Sequence, residues 1–235
     1  MNEIDTKNKL SILIPCYNEE KTIIKIIKQI KKQNYSVPYE IIIINDGSTD
    51  NTYNKLFYLQ NKIKDLKIIS YKQNQGKGYA LQQGIKNVTG NITIIQDADL
   101  EYNPKQINEL IEPILRNETN VVYGSRFTGT IINMSKTSII GNIILTGLIN
   151  LLFQTKLTDI ETGYKIMKTK ILRNLNLIQN DFEIEIEITT KLIKNKIFIK
   201  EIPINYQARL KNEKKINWKN GVKGIYYIIY YWLKL

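Results

Sequence analysis

Residues 94–104 read IIQDADLEYNP: the end of an apolar run, then Asp97, Asp99 and Glu101 within five positions, then Pro104. The run reads as a buried strand, and the acids sit where it stops. On an extended strand end Asp97 and Asp99 point to the same side, because side chains alternate with period two. Their mutual repulsion raises one pKa unless a cation neutralises both. Two readings follow. One is a solvated Asp-rich turn; the other is a site for Mg2+ or Mn2+, hard ions that take carboxylates together with substrate phosphate oxygens. Pro104 opens a helix from its first turn.

Working outward, KLSILIP (9–15) is a short buried strand ending at a turn. NEEKTIIKIIKQIKKQ (18–33) places Ile23, Ile26, Ile27 and Ile30 on one helical face and lysines on the other. YEIIIINDGSTDNT (39–52) is a strand of consecutive isoleucines that breaks at Asp46-Gly47, with Ser48 or Asp50 able to cap the next helix. LKIISY is a third strand, GKGYALQQGIKNV a helix, NITIIQDADL a fourth strand and NVVYGSRF a fifth. Alternating strands and helices predict a mostly parallel α/β sheet covered on both faces, in one domain over 1–235. Such sheets bind ligands beyond the carboxyl ends of their strands, where CYNEE, NDGSTD, NQGKG and QDADLE all fall. Downstream, DIETGYKIMKTKIL reads as loop, strand and short helix. FEIEIEITTKLIKN alternates like a strand at its start yet suits a helix later, and is assigned helix; IFIKEIPINY is strand-like.

Composition removes several chemistries. The chain of 235 residues has no histidine, and Cys16 is its single cysteine. Ser-His-Asp and Cys-His nucleophiles and Cys/His zinc sites are thereby excluded, so any metal must be held by oxygen. A lone thiol suits a reducing cytoplasmic setting. The formal charge of +12 fits an anionic partner, although a bias toward Ile, Lys and Asn accounts for much of it. Arginine is scarce, with only Arg116, Arg126, Arg173 and Arg209 present, so each planar fork is a candidate for phosphate.

Seven segments, SILIPCYNEEKTI, IIINDGSTDNT, NQGKGYALQQGI, QDADLEYNP, VVYGSRF, TDIETGYKIMK and YQARLKNEKKI, follow the order and approximate spacing of family 2 glycosyltransferases. The chain most resembles the branch of dolichol-phosphate mannose synthases and polyprenyl-phosphate glucosyltransferases. That resemblance implies a GT-A type α/β fold, a divalent metal (Mg2+ or Mn2+), a nucleotide-sugar donor such as UDP-glucose or GDP-mannose, and inversion at the anomeric carbon. It implies a polyprenyl or dolichyl phosphate acceptor, or alternatively a saccharide hydroxyl in cell-surface glycan synthesis. Position by position, Pro15, Tyr17 and Glu19 match residues around base and ribose, and Ile44 and Asp46 match the second strand end at the base. Asp97, Ala98 and Asp99 match the metal and diphosphate motif, which Glu101 would complete. Arg126, Arg209 and Lys215 match cations near the diphosphate and the acceptor phosphate. With no histidine, a general base for a hydroxyl acceptor must be a carboxylate, and Asp159 and Glu161 lie in the acceptor-side segment. A phosphate acceptor is already ionised and needs none.

Other readings stay open at single residues. Tyr17 binds ligand or covers the sheet edge, and Lys77 binds ligand or is a solvated turn residue. Cys16 reads as a small buried hydrophobe, and Glu183, Glu185 and Glu187 as a solvated face. SIIGNIILTGLINLLF (138–153) carries Asn142, Thr146 and Asn150 at every fourth position, a polar stripe on a helix shorter than the roughly 20 residues of a span. Amphipathic helices near 137–153 and 219–235, with Arg209, Lys211, Lys214, Lys215, Lys219 and Lys223 against Glu213 between them, predict a protein peripheral at the cytoplasmic face of a membrane. The N-terminal MNEIDTKNKLSILIP has no apolar core of signal length. Nucleic acid is not expected as a partner, because the aromatics cluster in IYYIIYYW without alternating cations. A sugar nucleotidyltransferase is not expected either, because no Gly-rich loop follows the first strand.

Overall fold

The computed structural model describes residues 8–60, 62–209 and 218–234. Seven strands form one mixed sheet: β1 (Leu10–Cys16), β2 (Tyr39–Asp46), β3 (Leu66–Tyr71), β4 (Ile92–Ile95), β5 (Val121–Ile132), β6 (Lys165–Lys168) and β7 (Lys200–Gln207), in the order β3-β2-β1-β4-β6-β5-β7. The first four strands are mutually parallel; β6 runs antiparallel to β4 and β5, and β7 is parallel to β5. The strand reversal at β6 turns the loop preceding it, residues 158–164, toward the carboxyl ends of β1 to β4.

The isoleucine runs are explained by two covered faces. Leu10, Ile12 and Ile14 of β1, with Ile41 and Ile43 of β2, face α1 (Ile23–Lys31), α2 (Thr52–Gln60) and α4 (Ile107–Leu115). Leu13, Ile42 and Ile44 face α3 (Lys77–Asn87), α6 (Thr169–Asn174) and α7 (Ile184–Lys194). Ile23, Ile26, Ile27 and Ile30 of α1 are all buried, as their spacing requires. Asp50 accepts from the Thr52 amide at the start of α2, and Asn103 caps the 3-10 turn Pro104–Gln106 that leads into α4.

The alternation of FEIEIE belongs to a helix after all, because α7 is enclosed by two cores. Ile184 and Ile188 enter the one shared with α3, and Ile186 enters a third core with α5 (Lys136–Phe153) and α8 (Trp218–Lys234). Glu183, Glu185 and Glu187 are accordingly buried rather than a solvated face. Each is paired: Glu187 accepts the amides of Ile178 and Gln179 and bonds Lys191, Glu185 pairs with Lys77 and Lys165, and Glu183 pairs with Lys223.

Helix α5 carries the polar stripe seen in the sequence. Its polar stripe points into the protein: Asn142 accepts from Arg126, Thr146 accepts from the Ile160 amide, and Asn150 bonds both the amide and the carbonyl of Leu157. The outward residues are Ile140, Ile143, Ile144 and Leu151, each more than half exposed. At 18 residues α5 is long and apolar enough to cross a membrane by length and composition alone, yet three of its side chains are tied to segment 157–160 or to β5. Helix α8 lies beside it and exposes Val222, Tyr226, Ile229, Trp232 and Leu233.

Candidate active site

The carboxyl ends of β1, β2 and β4 meet the loop before α3 and the end of β7. The β1 and β2 loops are stitched by short side chains: Asn18 Oδ1 accepts from the Thr49 amide at 2.8 Å, Ser48 Oγ from the Asn18 amide at 2.9 Å, and Thr52 Oγ1 from the Glu19 amide at 2.9 Å. Asp46, 2 % exposed, accepts the amides of Gln75 and Gly76 at 3.0 and 2.8 Å. Burial raises its pKa against the pull of those amides. It therefore fixes the loop that presents Lys77, which begins α3 after Gly76. A φ of +102° at Gly76 and a backbone oxygen 2.2 Å from where its Cβ would lie leave room only for glycine there.

At the β4 end Asp97 and Asp99 are each held by one cation. Lys77 Nζ lies 2.9 Å from Asp97 Oδ1, and an Arg209 terminal nitrogen lies 2.9 Å from Asp99 Oδ2. The other Arg209 terminal nitrogen bonds Glu19 at 3.1 Å. Burial first, then the charges of Asp97 and Glu101, push the Asp99 carboxyl up to about 7 against the pull of Arg209. Glu101 accepts from the Tyr206 hydroxyl and the Arg209 amide, with its Oε1 3.5 Å from Arg209 Nε, and so ties the end of β7 to the β4 loop. Among the described residues no group of three His, Cys, Asp or Glu side chains gathers in an arrangement that could hold a metal; of the expected trio, Asp97 and Asp99 pair with cations and Glu101 bonds the end of β7. What remains is a pair of oxygen donors whose charge is balanced by Lys77 and Arg209. A carboxyl raised by neighbouring acids, with ammonium and guanidinium standing in for positive charge, fits a hard divalent cation at Asp97 and Asp99.

Most of the other expected residues are buried. Arg126 is 5 % and Asp159 0 % exposed, and they pair: Arg126 Nε and a terminal nitrogen donate to the two Asp159 oxygens at 2.7 Å each, and the Arg126 amide donates at 3.0 Å. This buried fork braces β5 against the loop before β6. Ile44 is fully buried in the α3 core and pairs with Pro15 across β1 and β2; their side chains and that of buried Ala98 carry no polar atom. Tyr17 lies half-buried on the β1 loop, and Lys215 lies outside the described residues. Glu161, in the loop before β6, has its Oε1 buried without a hydrogen-bond partner. Desolvation pushes its carboxyl up to about 7, opposed by Lys165.

Side chains that sequence reasoning missed support this cleft. Tyr102 forms an isolated antiparallel bridge with Tyr206, its hydroxyl accepts the Gly163 amide at 2.7 Å, and its ring lies 5.1 Å from that of Tyr206. Lys165 is fully buried and bonds the carbonyls of Ile160 and Thr162. Lys77, for which the sequence offered a ligand contact or a solvated turn, is ion-paired to Asp97 and Glu185 at the start of α3.

Residues 11–175 match the family described as Glycosyl transferase family 2. Among similar proteins, the dolichol-phosphate mannosyltransferase of Pyrococcus furiosus is 29% identical over 90% of this chain and 60% of its own length. The dolichyl-phosphate beta-glucosyltransferase of Saccharomyces cerevisiae is 31% identical over 84% and 66%. The UDP-N-acetylglucosamine–dolichyl-phosphate N-acetylglucosaminyltransferase of Methanococcus voltae is 32% identical over 82% and 83%. The chain thus spans less than two thirds of the first two. A crystal structure of glucosyl-3-phosphoglycerate synthase from Mycobacterium tuberculosis, in complex with Mn2+, UDP and glucosyl-3-phosphoglycerate, superposes with a TM-score of 0.73 at 18% identity, covering 96% of this chain and 79% of that one. That likeness establishes the GT-A type of fold expected from the sequence. With the family match covering most of the domain, this chain belongs to glycosyl transferase family 2.

Proposed function

We propose that the chain transfers a hexose from a nucleotide sugar, UDP-glucose or GDP-mannose, to a polyprenyl or dolichyl phosphate, with inversion. The observation that carries this reading is the pair Asp97 and Asp99, each countered by one cation, in a cleft that also contacts an apolar-faced helix through segment 157–160. The acceptor oxygen would bond to the anomeric carbon as the bond from that carbon to the diphosphate oxygen breaks. Asp97 and Asp99 would hold Mg2+ or Mn2+, which when bound supplies electrostatic stabilisation of the leaving diphosphate. Arg209 would turn from the carboxylates toward the diphosphate, its planar fork suiting two phosphate oxygens. Glu19, Tyr17 and Asp46 would line or support the nucleoside end. An acceptor phosphate is ionised at neutral pH, so no residue needs to take its proton.

The outward isoleucines of α5 and the aromatic face of α8 support attachment to a membrane surface, which we place at the cytoplasmic face. Burying one such side chain is worth roughly 1.5–3 kcal/mol, so several together suffice for reversible docking. Incubating purified protein with Mn2+ or Mg2+, a panel of nucleotide sugars and a short polyprenyl phosphate tests the reading. A lipid-linked sugar is expected with one donor, and none with any donor counts against it.

One observation favours a second reading, transfer to a saccharide hydroxyl. A carboxyl pushed up to about 7, as at Glu161, is matched to general base work near neutral pH. Glu161→Gln then abolishes transfer, whereas with a phosphate acceptor it leaves most of the rate.

A further inference from the structure

A buried ammonium requires a lasting partner, because an unpaired charge out of water is far costlier than a paired one. Lys77 has two: Asp97 Oδ1 at 2.9 Å and Glu185 Oε1 at 3.0 Å. Asp97 is the partner that the proposed function would share with a divalent cation. Glu185 is therefore the anion left to Lys77 in the loaded site. It comes from α7, is 3 % exposed, and its other oxygen pairs with Lys165, whose ammonium also donates to the Ile160 and Thr162 carbonyls at 2.9 and 2.7 Å. The series Asp97, Lys77, Glu185, Lys165 alternates in sign and ends on the loop before β6. Gly163 of that loop sits so close that a Cβ would lie 2.2 Å from Asp97 Oδ2.

We infer that Glu185 is a positioning residue: by holding Lys77 as a second partner it lets Asp97 release that lysine and accept a divalent cation. The inference rests on the metal-dependent transfer proposed above. Without Glu185, Lys77 has Asp97 alone and competes with the metal for it. A support of this kind behind a metal ligand is worth about 10–100-fold in affinity.

The test is Mn2+ binding followed by the electron paramagnetic resonance of free Mn2+, with and without UDP, in the wild type, E185Q, K77M and the double variant, each checked by circular dichroism. E185Q is expected to weaken Mn2+ binding at least about tenfold. In the K77M background the same change is expected to matter less than about threefold, because the competitor is gone. Equal weakening in both backgrounds would mean that the Glu185 charge acts directly, and would overturn the inference, as would unchanged binding in E185Q. Should E185Q not fold, K77M alone decides: binding several-fold tighter than the wild type is expected, and unchanged or weaker binding overturns the inference. A wild type that binds no Mn2+ even with UDP would instead remove the proposed function on which the inference stands.

Discussion

Replacing Asp159 by Asn separates a structural carboxylate from a chemical one. Asp159 is fully buried and accepts three N–H groups of Arg126 at 2.7, 2.7 and 3.0 Å. Asn keeps the shape but removes the charge and turns an amide N–H₂ toward a guanidinium that is itself 5 % exposed. Removing one partner of a buried pair costs about 3–5 kcal/mol, because the other charge is left uncompensated. Unfolding entropy near 60 °C is about 2.1 cal/mol/K per residue, so a chain of 235 residues loses roughly 2 °C of Tm per kcal/mol. Differential scanning calorimetry is then expected to place D159N about 6–10 °C below the wild type. The double variant R126M/D159N, which no longer buries a lone cation, is expected to recover much of that loss. A D159N protein that melts within about 2 °C of the wild type yet transfers no sugar would refute the bracing role and return Asp159 to the chemistry.

Further outcomes follow from the same geometry. Gly163→Ala is expected to displace Asp97, since its Cβ would lie 2.2 Å from Asp97 Oδ2 and 2.9 Å from the Tyr102 ring; Mn2+ titration should show binding lost in a protein that still melts cooperatively. Glu161 has a folded pKa of about 7 against 4.5, so its protonated form favours the fold. That contribution is complete below about pH 4.5 and is lost as pH rises through 7. Glu161→Gln, which mimics the protonated form, is therefore expected to be more stable than the wild type at pH 8, by up to ~3 kcal/mol, and equal to it near pH 4.5; denaturant unfolding at both pH values measures this. Ile143→Asp with Ile144→Asp, at positions 56 and 53 % exposed, is expected to abolish sedimentation with anionic vesicles while leaving Tm within about 2 °C.

The parallel half of the sheet was legible because each strand is an apolar run that ends at a polar turn. Ile41 to Ile44 must be covered on both faces, and the helices between strands supply the cover. The acids of the β4 turn were legible for the same reason: period two puts Asp97 and Asp99 on one side. What local pattern could not show is which partner each side chain finds. The Asn142, Thr146 and Asn150 stripe was visible, but spacing does not reveal whether water or protein lies opposite, and here it is protein. Glu185 and Glu187 looked like a solvated face because their partners Lys77, Lys165 and the Ile178 amide come from other segments. Arg126 was rightly singled out as a scarce fork, but its anion is Asp159, 33 residues on. Glu101 sits two residues from Asp99, yet the end of β7 claims it.

The claim on which the account turns is that Asp97 and Asp99 bind a divalent cation together with a nucleoside diphosphate. Isothermal titration calorimetry of UDP and GDP into the protein, with Mn2+ and with chelator, measures it most directly. The account expects saturable heat with one nucleotide, dependent on Mn2+ and lost in D97N and D99N. Absence of Mn2+-dependent heat for either nucleotide, or binding unchanged in both variants, would contradict it.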